Sequence, residues 1–188
     1  MEKIRCSWVE KACPLYVSYH DEEWGVPVYD DAKLYEMFLL ETFQAGLSWI
    51  TILKKREAFR KAFDGFCAEK VAAYGEEKIQ ELMKNPDIIR NQRKLRAAVK
   101  NAAVFLALQK EFGSFSKYLW GFTQGKVIWN QDDSFPVKTE LSDRISKDLK
   151  KRGMSFVGSV TIYSYLQAVG VVNDHSLACF CRQAPERK

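Results

Sequence analysis

Only two histidines occur in this 188-residue chain, and each has a cysteine nearby, at opposite ends of the sequence. Cys6 and His20 lie near the N-terminus. His175 and Cys179 lie near the C-terminus, four residues apart, a spacing that puts both side chains on one face of a helical turn. Two thiolates and two imidazoles complete a tetrahedral zinc set. If the four converge, one metal ties the two ends of the chain together, and every fold that keeps the ends apart is excluded. No CxxC pair is present, so on spacing alone a second reading stays open: two core histidines, each beside a buried free cysteine. Cys13 and Cys67 show no helpful spacing. Cys181 competes with Cys179, but its two-residue offset points it elsewhere on a helix.

Five cysteines, an odd number without a disulfide pattern, favour a reducing compartment. The opening MEKIRCSWVEKACPLY lacks the apolar run of a signal peptide, so the expectation is a cytoplasmic protein. The longest uncharged stretch, Met154 to Asn173, is broken by Ser, Thr, Tyr, Gln and Gly and reads as a buried helix, not a membrane span. The net charge of +5 permits nucleic-acid binding without demanding it. Its distribution says more: Arg90, Arg93, Lys94, Arg96 and Lys100 crowd one segment, and Lys147, Lys150, Lys151 and Arg152 another. Two solvated helix faces are the plainer account of those runs.

Helical periodicity dominates. Asp30 or Asp31 caps a helix with Leu34, Met37, Phe38 and Leu40 inside; Ser48 caps the next, which stops near Gly65. A short helix spans Glu76 to Lys84, and a long one runs from about Asn91 to Phe112 with a Gly113 stop. Ser142 is expected to cap a basic helix ending at Gly153, and an apolar helix covers Ser159 to Val169. The best strand signal is Lys126 to Trp129; Gln131 to Thr139 reads as a loop. No repeat or linker interrupts the chain, so one all-α domain over residues 1–188 is expected, with its clasp from about 1–20 and 170–188. The connection from Lys84 to Arg90, inside a hairpin region of about 76–112, presents amides and cations to a phosphate as helix-hairpin-helix modules do. It lacks their glycine-rich turn, and an ordinary pair of helices fits it too.

The N-terminal quarter is rich in aromatics: Trp8, Tyr16, Tyr19, Trp24, Tyr29, Phe43 and Trp49 accompany two acids, Glu36 and Glu41. Glu41 is flanked by apolar residues in LLETFQAGLSW, and a buried carboxylate needs a partner. That partner is either a protein donor or a ligand. A flat heteroaromatic cation suits such a site, because ring faces attract positive charge and a carboxylate adds a charge-assisted hydrogen bond.

Four blocks in order, YHDEEWGVP (Tyr19 to Pro27), LETFQAGLSWITILKKRE (Leu40 to Glu57), LKKRGMSFVG (Leu149 to Gly158) and VNDHSLAC (Val172 to Cys179), resemble the bacterial DNA-3-methyladenine glycosylase I family. The resemblance runs over nearly the whole length. It implies the all-α fold of the helix-hairpin-helix DNA glycosylase superfamily, with a structural zinc joining the N- and C-termini through Cys6, His20, His175 and Cys179. It implies a base-binding and catalytic Glu41, a stacking Trp49 and a pocket Tyr19, with Trp8, Tyr16 and Trp24 around them. Leu47 corresponds to the residue that fills the gap left by an extruded nucleotide. The Thr42-Phe43 pair stands where relatives often carry smaller or more polar residues, so a slightly altered pocket shape is expected there.

The activity implied is base-excision repair: hydrolysis of the N-glycosidic bond of 3-methyladenine in alkylated double-stranded DNA, with free 3-methyladenine as product. A monomer in the bacterial cytoplasm, at the nucleoid through its DNA, goes with it. Many superfamily members place an aspartate after the hairpin to stabilise the sugar cation. No aspartate lies between Asp87 and Asp132 here, and Glu111 is the only acid between them. That vacancy fits an enzyme limited to charged, unstable lesions. No motif places a Schiff-base lysine, so no strand cleavage is expected. A zinc hydrolase and a base-flipping sensor without cleavage are the rival readings.

Overall fold

Helix α2 (Asp31–Gln44) is the hub of the computed structural model, which describes residues 3–182. It is buried on every side from Leu34 to Phe43, so its sequence is apolar almost without periodic interruption. The Asp30 side chain accepts from Lys33 N–H and caps its start. Around it the chain forms α1 (Pro14–Glu22), α3 (Trp49–Ala62), α4 (Ala68–Ala72), α5 (Glu76–Lys84), α6 (Gln92–Phe112), α7 (Phe115–Gly121), α8 (Glu140–Lys151) and α9 (Ser159–Ala168). The fold is all-α apart from β1 (Ile128–Trp129) and β2 (Val172–Asn173), which pair in parallel. Among the described residues no helix is long and apolar enough to cross a membrane.

Side-chain caps mark the starts of α2, α6, α7 and α8, whereas Ser48, at the N-cap of α3, bonds the Thr51 hydroxyl instead of an amide. Asn91 caps α6 and Gly113, in the left-handed region, ends it, as the sequence suggests. Helix α8 departs from expectation: Thr139 is the cap, and Ser142 is the third helical residue that completes a capping box with it. The apolar stretch from Met154 is helical only from Ser159 onward. Helix α7 starts at a local cap, Ser114 Oγ accepting from Lys117 N–H, and its first amides are also held by the Asp31 carboxylate, which accepts from Phe115 and Ser116 N–H.

Two contacts bring the ends together. The segment after α1 runs beside the end of α9, with Gly25 N–H donating to Gln167 O and Val28 N–H to Val169 O. Gly170 turns there at φ +69°, and a Cβ on it would stand 2.3 Å from the Val26 carbonyl carbon. Strand β2 then leads directly to His175.

A metal-ligating cluster beside an aromatic cleft

Cys6, His20, His175 and Cys179 are all buried, and one ligand atom of each lies within 4.8 Å of the others. The Cys6 Sγ–His175 Nδ1, Cys179 Sγ–His20 Nε2 and Cys179 Sγ–His175 Nδ1 separations are 3.6, 3.6 and 3.4 Å. A tetrahedral zinc with ordinary Zn–S and Zn–N lengths gives S···N edges of about 3.5 Å. The donor set therefore fits such an ion. The outer contacts fit too. His20 Nδ1 meets Asp21 Oδ1 at 2.8 Å, and His175 Nε2 meets the Trp24 carbonyl at 2.9 Å, so each ring keeps its other nitrogen for a metal. Ser176 N–H donates to Cys6 Sγ, and Arg5 braces Asp21 through a bidentate pair. His175 and Cys179 converge through a turn, closed by Cys179 N–H to Ser176 O, and not on a helix as their spacing suggests. The chain has just left β2, and Asp133 takes the Leu177 amide that a helix would use. Cys181 lies 4.0 Å from His20 Nδ1, on the side of the ring already occupied by Asp21, so it is not placed to replace Cys179.

Trp24 and Trp8 pack on the histidines from one side and face a cleft from the other. That cleft, about 270 Å³, is lined by Trp8, Tyr16, Tyr19, Trp24, Glu41 and Trp49, the set expected from the sequence. Gln44, Phe135, Ser164 and Gln167 complete it. Gln44 is legible as the residue one turn beyond Glu41, and Ser164 and Gln167 share a face of α9 by the same spacing. Phe135 comes from the 131–139 loop, and no sequence pattern points to it.

Glu36 and Glu41 have opposite surroundings. Glu36 accepts from Arg56 and Arg60 at 2.7 Å each, and these cations hold its carboxyl below the usual range despite burial. Glu41 is 4% exposed, its Oε2 has no partner among the described residues, and burial pushes its pKa up to about 8. Among the described residues it is the only carboxylate lining the cleft. Trp49 Nε1 is likewise buried without a partner among the described residues. Burial, with Glu41 nearby, raises the pKa of Tyr16 and of Tyr19, so both hydroxyls stay protonated donors. Asp174, far downstream of the interval between Asp87 and Asp132, accepts from Tyr163 and Gln167 and does not line the cleft.

Leu47 stands outside the cleft on the turn joining α2 to α3 and is 37% exposed. Gly46 takes φ +80° there, and the Gln44 side chain closes the turn by donating to Leu47 O. The basic run of α6 does not stand alone: its Arg93, Arg96 and Lys100 share a groove with Ser155 and Phe156 of the loop after α8. In the 85–91 connection one amide and two carbonyls are engaged by side chains within the protein. Asn85 takes the Asp87 amide, and Lys55 donates to the Pro86 and Asp87 carbonyls.

The sequence matches the family described as methyladenine glycosylase over residues 8–182. It is 46% identical to the DNA-3-methyladenine glycosylase of Haemophilus influenzae over 181 residues, covering 95% of this chain and 97% of that one. It is also 46% identical to DNA-3-methyladenine glycosylase 1 of Escherichia coli K12, covering 94% and 96%. Among solved structures, that of 3-methyladenine DNA glycosylase I from Staphylococcus aureus, concerned with 3-methyladenine recognition, superposes with a TM-score of 0.92 at 38% identity. It covers 97% of this chain and 98% of that one.

Proposed function

The chain belongs to the methyladenine glycosylase family, and on that footing we propose how its cleft does the work of a DNA-3-methyladenine glycosylase in base-excision repair. The observation that carries the reading is Glu41: a buried carboxyl without a protein partner among the described residues, in a cleft otherwise walled by aromatics. Such a group is costly unless a ligand meets it. A base made cationic by alkylation at N3 meets it with N–H donors, and the base's charge draws the carboxyl back to its ionised form, so that charge pairs with charge.

The target nucleotide must leave the duplex, at a cost of a few kcal/mol that is lowest for damaged bases. Leu47 enters the space it vacates. The base lies on Trp49, a contact worth about 1–3 kcal/mol by analogy with base–aromatic stacking. Glu41 accepts its hydrogen bonds and Tyr19 donates to it, with Trp8, Tyr16 and Trp24 excluding water. The C1′–N9 bond then breaks with its electron pair going to the base, which departs as neutral 3-methyladenine. Water adds to the oxocarbenium sugar and gives up a proton, leaving abasic DNA. The DNA's own phosphates balance the charge at C1′. Among the described residues no lysine lines the cleft, which favours a reaction without a Schiff base that leaves the strand whole.

Cys6, His20, His175 and Cys179 would hold one zinc, which would supply a structural cross-link only, since four protein ligands would leave no open position. It makes residues 1–188 one glycosylase domain closed at its ends; residues 1–2 and 183–188 of that span lie outside the described residues. The DNA backbone is held in the groove of Arg93, Arg96 and Lys100. Hairpin amides come from the start of α9, which has no side-chain cap, beside those of the 85–91 connection, where the Asp87 amide is taken by Asn85. The protein works as a cytoplasmic monomer on alkylated duplex DNA.

Incubation with methylated duplex DNA tests this. Free 3-methyladenine should appear, Glu41→Gln should slow its release at least about tenfold, as loss of one charge-assisted hydrogen bond implies, and the strand should stay intact until alkali is added. Nicks before alkali, or no base release, would overturn the reading.

A further inference from the structure

Lys94 is the member of the basic runs that does not face solvent. It is 7% exposed, and no carboxylate pairs with it among the described residues. Its ammonium donates to Phe43 O at 2.7 Å and to Ala45 O at 2.6 Å. Both carbonyls belong to the C-terminal end of α2, where the helix dipole is negative and backbone acceptors lack helical partners. Its remaining side faces the Phe156 ring at 5.8 Å. Burial lowers its pKa, as expected for a cation met only by neutral dipoles. Gly46, at φ +80°, already turns the chain here, so the ammonium adds a tether from α6 rather than the turn itself.

What Lys94 joins is informative. Glu41 lies on the helix whose end it holds, and Leu47 is two residues beyond Ala45. Arg93 and Arg96, its neighbours on α6, line the basic groove together with Phe156. We propose that Lys94 is a positioning residue: by gripping the Phe43 and Ala45 carbonyls it fixes the Leu47 turn to the DNA-facing helix, so that docking of the duplex sets the wedge in place. This rests on the reading of Leu47 as the residue that enters the duplex.

The test is a double-mutant cycle of Lys94→Met and Leu47→Ala, read as single-turnover base release from a lesion duplex, with free 3-methyladenine affinity as reference. Lys94→Met should slow release by about tenfold or more, the scale of a small misplacement, and leave free-base affinity within about twofold. The double variant should be no slower than the slower single variant, because one function is lost once. Lys94→Arg, which keeps the charge and donors, should recover part of the rate. If Lys94→Met does not fold, Lys94→Gln takes its place in the cycle. Multiplying effects, or equal loss of free-base and duplex binding, would overturn the role of Lys94 while leaving the wedge. No effect of Leu47→Ala alone would overturn the wedge, and this inference with it.

Discussion

Two glutamates five positions apart on α2 show how surroundings divide identical chemistry. Arginines hold Glu36 ionised, whereas burial drives Glu41 toward neutrality. The sign of the consequence follows. The Glu41 pKa rises from an ordinary 4.5 to about 8 on folding, so the folded chain retains a proton that the unfolded chain loses across that window. Stability from this group is therefore full below pH 4.5 and is lost as pH rises toward 8. Glu41→Gln has no such dependence, so its melting temperature should exceed that of the native protein increasingly from pH 4.5 to 8. A gap that stays constant with pH would show that the carboxyl is not held neutral. Trp49→Ala should weaken binding of free 3-methyladenine by about 1–3 kcal/mol; unchanged affinity by titration would deny the stacking role. Composition around Glu41 makes it visible as a candidate, because a carboxylate in an apolar run is rare. Phe135 is invisible, since its place depends on a loop pinned by Asp133 to the distant Leu177 amide.

At the scale of elements, legibility follows where the determinants lie. Helices α5 and α6, and the start of α2, carry their boundary signals and apolar faces within their own sequence and are readable nearly to the residue. Strand β2 depends on a partner far along the chain, β1, and local pattern does not announce it; α7 is held by distant Asp31 as well as by its local Ser114 cap. The two basic runs look like separate solvated faces; Lys94 is instead buried, and Arg93, Arg96 and Lys100 meet the loop after α8. Replacing Arg93 or Lys100 with alanine should weaken binding to any duplex about equally and lower the salt slope by roughly one for each phosphate left unneutralised. An unchanged slope would place the DNA backbone elsewhere.

Across the whole molecule, Cys6 and His20 meet His175 and Cys179 at one point beside the cleft. Trp8 and Trp24 touch His20 or His175 and also wall the base site, so the clasp and the pocket share their aromatic partition. The family blocks and the four ligand residues make that meeting legible. The turn from His175 to Cys179 is not, because spacing alone does not distinguish it from a helix. Structural zinc sites contribute roughly 10–16 kcal/mol in small zinc-finger peptides. Cys179→Ser should therefore lower the melting temperature far more than the base-release rate of the folded fraction, and a chelator should do the same. Equal melts with and without chelator would remove the metal from the account. The most direct measurement is the release of free bases from two duplexes, one carrying cationic 3-methyladenine and one a neutral etheno-adduct of adenine. An electron-rich cleft with a lone acid should free the charged base and spare the neutral one, whereas comparable release of both would contradict selection by charge.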